Sequence, residues 1–452
     1  MFSRRREGRT LICIAAVYHR FGGNVVYHAI RKTAMKYING LSIIILCLWW
    51  SDARSGENAT VVVAQDGTGK YRSIQQALDA VPPDHEQRIV ILVKNGIYNE
   101  KLFIIRSNIA VVGEDRDSTR IVYPELRRTW IKDHDSSDWG AATINIDSSA
   151  TDVTLANLTV HNNYGSLYGD HDHQFAVWGL GTRIIIIHCT IVSDGGDALS
   201  LWNKTKGMYY HANCSFEGWV DFVCPRGWCY ITDCIFFGHN LSASIWHDGE
   251  TDEHQKFVIK YSSFDGVPEF PLGRNHLDGQ FYLLHCLFSR TMADKPFYRP
   301  KSSKRPWKWG DRHFYYNCHR IGGDYVWFAD NLAAAAGLPK ESDIDARWTF
   351  DGQWNPEETM PAVLPTVFLP TPRDAACHVS VVGLELKWIP ARNALSQNVY
   401  FGKSEKPEFA GNKNENFFQT NNLESGTTYY WRIDEVTETG TIVGPLWHFT
   451  TK

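Results

Sequence analysis

The stretch RIIIIHCTIV, residues 183–192, consists of an apolar strand-forming run, a polar residue, a cysteine and a second β-branched pair. The same pattern returns along the chain as VTLANLTV from residue 153, MYYHANCSF from 208, CYITDCIFFG from 229, FVIKYSSFDG from 257, QFYLLHCLF from 280 and HFYYNCHRIGG from 313. Short strand-forming units that recur without intervening helices are typical of a solenoid in which each unit stacks on the next. The pattern therefore predicts an all-β chain whose main domain is a parallel β-helix.

One position of this repeat is small or apolar in every copy. Its residues are Leu158, Cys189, Cys214, Cys234, Ser262, Cys286 and Cys318. On stacked coils such residues form a ladder inside the solenoid, where a free cysteine packs as a small apolar residue. Zinc sites usually need close pairs such as C-x-x-C, so packing is the favoured role. Cys224 and Cys229 lie off the ladder, and a disulfide between them across a turn is left open.

Solenoid ends need caps. The segment RSIQQALDAVPP, residues 72–83, predicts a helix that begins after Ser73, with Gln76 completing a capping box and Pro82 ending the helix. At the other end, NLAAAAG from residue 331 is a second short helical candidate. We expect the β-helix to occupy residues 59–354.

A change of composition marks a second domain. Residues 355–375 are rich in proline, which resists regular structure and predicts an extended linker. Residues 376–452 contain strand-like runs separated by turn residues, as in a small β-sandwich. The segment LESGTTYYWRI, with Tyr429, resembles the tyrosine corner of fibronectin type III domains.

The net charge and the N-terminal segment narrow the class of protein to which the chain can belong. The chain has 452 residues and a net charge of −4, which does not fit a nucleic-acid-binding protein with its basic footprint. Residues 1–55 are predicted to be a leader, in which residues 35–55 have the basic start, short apolar run and small residues of a secretory signal. A secreted, periplasmic or cell-surface protein without stable membrane insertion is expected, and an uncleaved anchor is the alternative.

A carboxylate interrupts the apolar run EGWVDFVCPRG, residues 217–227. An unpaired charge is costly to bury, so Asp221 is predicted to face an outer groove while Val220 and Phe222 point inward by strand alternation. Asp197 lies about one repeat earlier and Arg274 two coils later. Stacked coils could therefore bring these side chains together, with Gln174 one coil before Asp197.

These motifs together resemble the pectin methylesterases, or pectinesterases, which are built on a right-handed parallel β-helix. The resemblance is carried, in order, by VVVAQDGTGKYRSIQQALDAVP from residue 61, GIYNEK from 96, AATI from 141, HQFAVWG from 173, GGDALSLW from 195, WVDFV from 219 and LGRNH from 272. It runs from residue 61 to residue 276, a span of 216 residues. What it implies is a carbohydrate esterase that hydrolyses methyl esters of an anionic polysaccharide, pectin or homogalacturonan, without a cofactor or metal.

The resemblance also implies a role for each site residue. Asp221 attacks the ester carbonyl, Asp197 protonates the leaving methoxide and then deprotonates water, and Gln174 donates to the oxyanion. Arg274 holds Asp221 ionised and lowers its pKa. Two close carboxylates cannot both ionise easily, so the pKa of Asp197 is expected to rise.

Two positions depart from the family pattern. Gly196 stands where the family has a second glutamine, which removes one oxyanion donor, and His276 stands where it has a tryptophan. The candidate substrate-binding residues are His276, Trp202, Trp307 and Trp309, the last two within the basic loop KSSKRPWKWGDR at 301–312.

Other functions stay open at the level of sequence. A polysaccharide lyase shares the scaffold, although its chemistry generally uses a calcium-binding acidic cluster. Gly196 and His276 also make a catalytically impaired glycan-binding β-helix a candidate. The run GDHDHQ, residues 169–174, suggests a metal site only weakly, because consecutive residues rarely converge on one ion.

Overall fold

A computed structural model describes residues 59–246, 252–301, 308–328, 330–335, 337–359, 367–372, 376–390, 394–438 and 440–452. The predicted leader and signal segment, residues 1–55, and Trp307 lie outside the described residues. Within the described residues, no helix is both long enough and apolar enough to cross a membrane.

The predicted parallel β-helix is confirmed by twenty-five short strands. The first thirteen are β1 Ala59–Val63, β2 Ile89–Val93, β3 Gly96–Tyr98, β4 Leu102–Ile104, β5 Ile109–Gly113, β6 Thr119–Val122, β7 Ala142–Ile146, β8 Thr151–Ala156, β9 Thr159–Asn162, β10 Phe175–Gly179, β11 Thr182–Ile187, β12 Thr190–Ser193 and β13 Leu199–Leu201. The others are β14 Met208–Ala212, β15 Ser215–Gly218, β16 Trp228–Thr232, β17 Ile235–Gly238, β18 Ile245–Trp246, β19 Phe257–Lys260, β20 Ser263–Gly266, β21 Gly273–Arg274, β22 Phe281–Leu284, β23 Leu287–Phe288, β24 His313–Tyr316 and β25 His319–Arg320.

These strands form three parallel faces. The first face is β1-β2-β5-β8-β11-β14-β16-β19-β22-β24, and the second is β25-β23-β20-β17-β15-β12-β9-β6-β3. The third face is made of β13-β10-β7-β4 and the pair β18-β21, with a single bridge at Val223 joining Leu199 to Ile245. Most coils thus contribute one strand to each face, and the coil of β14 and β15 reaches the third face through the Val223 bridge alone. This is the arrangement that the repeat in the sequence predicts.

The polar residue before each ladder position has a structural reason. It adopts the left-handed backbone conformation, with φ between 48° and 55°, in all seven repeats: Asn157, His188, Asn213, Asp233, Tyr261, His285 and Asn317. Asn, Asp and His tolerate this conformation better than most residues. The sharp turn from the first face to the second is therefore encoded by a single residue in each coil.

The cysteine ladder lies in the core of the solenoid. All seven cysteines whose side chains are described are buried free thiols: Cys189, Cys214, Cys224, Cys229, Cys234, Cys286 and Cys318. Ladder thiols donate to the carbonyl two residues earlier, as Cys214 does to Ala212 at 3.2 Å. The possible disulfide between Cys224 and Cys229 is wrong, and the Cys224 sulfur instead accepts from the indole N–H of Trp202 at 3.3 Å.

Short helices lie at both ends of the solenoid and in its connections. They are α1 Ile74–Asp79, α2 Arg127–Asp133, α3 Tyr164–Tyr168, α4 Asn331–Ala334, α5 Ala346–Thr349 and α6 Pro356–Thr359, with 3-10 turns at Val326–Phe328 and Glu341–Asp343. Ser73 accepts from the Gln76 N–H as the sequence predicts. The Glu100 carboxylate caps the same helix, accepting from the Ser73 hydroxyl and from the backbone N–H groups of Ile74 and Gln75.

The C-terminal residues form two further sheets around their own core. Their strands are β26 Phe368–Thr371, β27 Ala376–Val379, β28 Glu385–Ile389, β29 Ser396–Gly402, β30 Glu408–Lys413, β31 Phe417–Gln419, β32 Thr428–Thr437, β33 Gly440–Ile442 and β34 Leu446–Thr451. The sheets are β26-β28-β31 and β27-β34-β32-β29-β30, with β33 paired to β32. The Tyr429 hydroxyl accepts from the Glu424 N–H at 2.9 Å, the contact expected of a tyrosine corner. The likeness to fibronectin type III domains stays a prediction.

The predicted linker, residues 355–375, is only partly irregular. The helix α6 lies within it, and its Glu357 accepts from the Tyr210 hydroxyl at 3.0 Å. The strand β26 also lies within it and pairs with β28 as part of the second domain. The expectation of an extended linker over this whole range is therefore wrong, and the sandwich begins before residue 376.

Candidate active site

The two predicted acids occupy equivalent positions on adjacent coils. Leu199 pairs in parallel with Val223, and each follows its aspartate, Asp197 or Asp221, by two residues. Both aspartates have the left-handed conformation, with φ of 62° and 49°. The Asp197 N–H donates to the Val220 carbonyl at 2.9 Å, which fixes one turn on the next. Stacked turns at the edge of the third face therefore carry both carboxyl groups.

The alternation of side chains along a strand predicts the environment of only some residues in the turn around Asp221. Phe222 is buried in the core as predicted, but Val220 is half-buried rather than inward-pointing. The reason is that Asp221 lies in a left-handed turn instead of an extended strand, so the period of two fails there. Asp221 itself is buried apart from 4% of its surface, and its charge is paired.

Arg274 pairs with Asp221 through two parallel hydrogen bonds. Its Nε donates to Oδ1 at 3.1 Å and its Nη2 donates to Oδ2 at 2.6 Å. This fork geometry fixes the carboxylate in position and in plane. Burial raises the pKa of Asp221, while Arg274 opposes that increase. Arg274 thus lowers the pKa of Asp221 as the sequence predicts, but desolvation exceeds the effect of the guanidinium and the net pKa lies above its usual value.

Asp197 has the properties of an acid that is protonated near neutral pH. Burial raises the pKa of Asp197 to about 7, against the opposing charge of His173 and with a further increase from Asp221. The direction is the one that the sequence predicts for two neighbouring carboxyl groups. The two carboxyl groups thus differ in environment, and a protonated and a paired carboxyl group are the combination that an acid and a nucleophile require.

Gln174 lies where the sequence predicts, one coil before Asp197, and its backbone N–H donates to the Gly196 carbonyl at 3.0 Å. Its side chain is fully buried and engaged with the α3 loop. The amide oxygen accepts from the Gly165 N–H at 3.0 Å, and the amide nitrogen donates to the Asp170 carbonyl. Only the second hydrogen of that nitrogen is left for an oxyanion, so Gln174 also braces the loop.

His173 is a site residue that sequence reasoning did not assign. Its Nε2 lies 3.4 Å from Oδ2 of Asp197, and its Nδ1 lies 2.7 Å from Oδ1 of Asp172. The signal that could have found it is its position beside Gln174 on the coil before Asp197. The structure adds the bridge that pairs His173 with Gly196, next to the acid.

The other members of the GDHDHQ run have protein partners. Arg128 of α2 pairs with both Asp170 and Asp172. His171 contacts the Asp194 carbonyl through Nδ1 and stacks on Trp219, with ring centroids 4.0 Å apart. Among the described residues, no group of three His, Cys, Asp or Glu side chains is arranged to hold a metal ion.

An aromatic and cationic wall lies beside the acids. The Arg226 guanidinium lies over the rings of Trp202 and Trp246, at 3.8 and 4.5 Å from their centroids. Trp246 in turn meets His276 edge to face at 5.0 Å. The structure thus links the predicted residues Trp202 and His276 through two residues that the sequence analysis missed.

The second predicted pair of tryptophans is described only in part. Trp309 has Lys308 Nζ 4.4 Å and Arg312 5.0 Å from its ring centroid, so aromatic and basic groups meet there as predicted. The Lys308 backbone N–H donates to Asp278 at 2.7 Å, which anchors this end of the loop. The substrate-binding role of Trp309 stays a prediction.

The family comparison covers most of this site. The sequence profile of the family described as Pectinesterase matches residues 60–264, which contain Gln174, Asp197 and Asp221. Arg274 and His276 lie beyond the matched range. "Probable pectinesterase 67" of Arabidopsis thaliana is 21% identical over 311 residues, covering 63% of this chain and 86% of its own length. A protein described as "Pectinesterase" from Petunia integrifolia is 27% identical over 218 residues, covering 47% of this chain and 54% of its own length.

Solved structures share the fold. A pectin methylesterase crystallised in complex with a hexasaccharide aligns with a TM-score of 0.52 at 21% identity, covering 67% of this chain and 99% of that one. The pectin methylesterase of Erwinia chrysanthemi aligns with the same TM-score and coverage at 19% identity.

Proposed function

Because residues 60–264 of the chain match the sequence profile of the pectinesterase family, we propose that the protein is a carboxylic ester hydrolase that removes methyl groups from pectin-like polygalacturonan. The observation that carries this proposal is the pair Asp197 and Asp221 at equivalent positions of adjacent coils, with Arg274 forked onto Asp221. That geometry supplies the nucleophile and the proton donor that ester cleavage needs.

In the first step, a carboxylate oxygen of Asp221 attacks the carbonyl carbon of the methyl ester. The resulting tetrahedral intermediate collapses, the bond to the methoxy oxygen breaks, and Asp197 gives its proton to that oxygen. Methanol leaves, and the substrate acyl group is held as an anhydride with Asp221. Arg274 orients the attacking carboxylate, and the buried position of Asp197 keeps its proton available near neutral pH.

In the second step, water attacks the acyl carbon of the anhydride. Asp197, now a carboxylate, takes a proton from the water, and the bond to Asp221 breaks. The products are a free galacturonic acid carboxyl group and the ionised Asp221. The remaining hydrogen of the Gln174 amide and nearby backbone N–H groups are the proposed donors to the oxyanion in both steps.

An anionic polysaccharide is the proposed partner. Arg226 between Trp202 and Trp246 offers a cation for sugar carboxylates, and the flat rings offer contact area for sugar faces. Secretion is proposed from the signal-like residues 35–55. The role proposed for residues 367–452 is that of a spacer or adhesion module.

Product analysis tests this function against its alternatives. With methyl-esterified polygalacturonan as substrate, we expect methanol release in the presence of a chelator and no product that absorbs in the ultraviolet. A calcium-dependent unsaturated product would replace the esterase with a lyase. Tight polymer binding with no methanol after long incubation would replace it with a glycan-binding β-helix.

A further inference from the structure

A chain of charged groups connects Asp197 with the protein surface. Arg128 Nη1 donates to Oδ2 of Asp172 at 2.9 Å, Asp172 accepts from both Nδ1 and the backbone N–H of His173, and His173 Nε2 lies 3.4 Å from Asp197. Side-chain exposure falls along this chain from 56% at Arg128 to 5% at Asp197. Asp197 is therefore buried, whereas its neighbour His173 is partly exposed to solvent.

The backbone places the histidine beside Gly196, which is next to the acid in sequence. His173 pairs in a parallel bridge with Gly196, which holds its ring beside the acid. A Cβ at position 196 would lie 2.8 Å from Cγ1 of Val220 and 3.6 Å from Cδ2 of His173. A side chain at position 196, such as the glutamine of the family pattern, would thus clash with Val220, while its Cβ would be in ordinary contact with the imidazole ring.

The hydrogen-bonding capacity of the ring defines what it can do. Asp172 accepts the Nδ1 proton, which leaves Nε2 to face the Asp197 carboxyl group. When Asp197 is protonated, a neutral ring offers Nε2 as an acceptor. When Asp197 has given its proton to methoxide, the ring takes up a proton from solvent, to which its side chain is 40% exposed, and donates Nε2–H to the carboxylate.

We propose that His173, held by Asp172, is the positioning residue that orients the Asp197 carboxyl group and stabilises its ionised form between the two steps of ester hydrolysis. The proposal rests on the proposed function. The ring neither attacks nor protonates the substrate, and the proton still passes from Asp197 to methoxide and from water to Asp197.

The electrostatics agree with this geometry. Burial lowers the pKa of His173, but Asp197 and Asp172 outweigh it, so the pKa lies above its usual value. The hydrogen bond with His173 is the main reason that the pKa of Asp172 falls to about 2, so Asp172 is ionised wherever the enzyme works.

Other charged or titratable groups also face Asp197, and they define the background for a test. They are Asp221, the guanidinium groups of Arg127 and Arg226, and the Cys224 thiol. Arg127 is itself bound to Asp138 through two hydrogen bonds of 2.7 and 3.1 Å. The hydrogen bonds between Arg127 and Asp138 do not use the His173 side chain, so we expect a His173 variant to keep them.

The test is methanol release by His173→Gln between pH 5 and 9, compared with wild type and His171→Gln. His171 lies in the same loop, but its ring stacks on Trp219 and its Nδ1 contacts the Asp194 carbonyl. Because the His173 charge lowers the pKa of Asp197, we expect His173→Gln to move the alkaline limb of kcat/KM upward by about 0.5 to 1 pH unit. We also expect kcat to fall at least tenfold, KM to change less than twofold, and His171→Gln to match wild type.

Asp172→Asn provides a second variant in case His173→Gln fails to fold. It should move the alkaline limb in the same direction by a smaller amount. An unshifted limb in both variants, whether or not activity falls, would overturn the positioning role. Loss of methanol release in wild type as well would instead reject the proposed function.

Discussion

At the scale of single residues, some members of the site can be predicted from sequence motifs, whereas their contacts depend on how the coils pack. Asp221 and Arg274 could be predicted because each lies in a recognisable motif. The His173 contact could not, because it depends on which atoms of two neighbouring coils face each other. The net pKa of Asp221 was also beyond prediction, since it depends on how far burial outweighs the guanidinium.

The raised pKa of Asp197 predicts opposite effects on stability and activity. The folded pKa of about 7 exceeds the ordinary value of 3.8, so the folded state binds this proton more tightly and loses stability as pH rises from 4 through 7. Asp197→Asn removes this pH-dependent loss of stability, because asparagine does not ionise. It should raise the free energy of unfolding relative to wild type by up to about 4 kcal/mol at pH 8, and by little at pH 4.

Urea unfolding of both proteins at the two pH values measures this difference, and methanol release gives the activity. The variant should lose at least 100-fold in kcat, since general acid–base catalysis contributes about 10² to 10⁴. A stability difference that does not depend on pH would show that Asp197 is ionised in the folded protein.

At the scale of elements, one residue in each coil decides the turn between the first two faces. Asn213 has a φ of 53° and precedes the ladder residue Cys214. Alanine pays a steric cost of about 1–2 kcal/mol in the left-handed conformation, whereas glycine adopts it freely. Asn213→Ala should therefore lower the free energy of unfolding by about 1 kcal/mol, and Asn213→Gly should lower it less. Chemical denaturation checks both, and equal losses would contradict the turn assignment.

The sequence predicts some elements better than others for physical reasons. Strands of the first face are four to six residues long, enough for a repeat to be visible. Those of the third face shrink to two residues at β18 and β21, too few for a period of two. Within the predicted linker, Pro356 occupies the first position of α6 and Pro370 lies on the edge strand β26, two places where proline is tolerated.

At the scale of the whole molecule, a C-terminal strap, residues 331–335 and 337–359, covers the outside of the first face. Its Leu332, Ile344, Phe350 and Trp354 join one buried cluster with outward-facing residues of that face. The sandwich core around Trp388, Trp431 and Trp447 is a separate cluster. We therefore expect the stability of the β-helix to depend on the strap and not on the sandwich.

A variant ending at residue 359 should keep the methanol-release activity and the thermal midpoint of the β-helix, because the strap and its Glu357 contact with Tyr210 remain. A variant ending at residue 330 should aggregate, or should have a thermal midpoint well below that of the longer variant, because the truncation exposes the apolar cluster. Thermal melts and activity assays compare the two. Loss of activity on removing only the sandwich would contradict this division.

The central claim is that stacked coils place an aspartate nucleophile, Asp221, in a paired and buried position. Methanol release by Asp221→Asn tests it most directly, with Asp434→Asn as the matched control. Asp434 is also a buried aspartate bound to an arginine by two hydrogen bonds, of 2.7 and 2.9 Å from Arg432, but it lies in the sandwich. We predict that Asp221→Asn loses more than 1,000-fold in kcat while Asp434→Asn keeps wild-type activity. Equal rates in wild type and Asp221→Asn would contradict the mechanism.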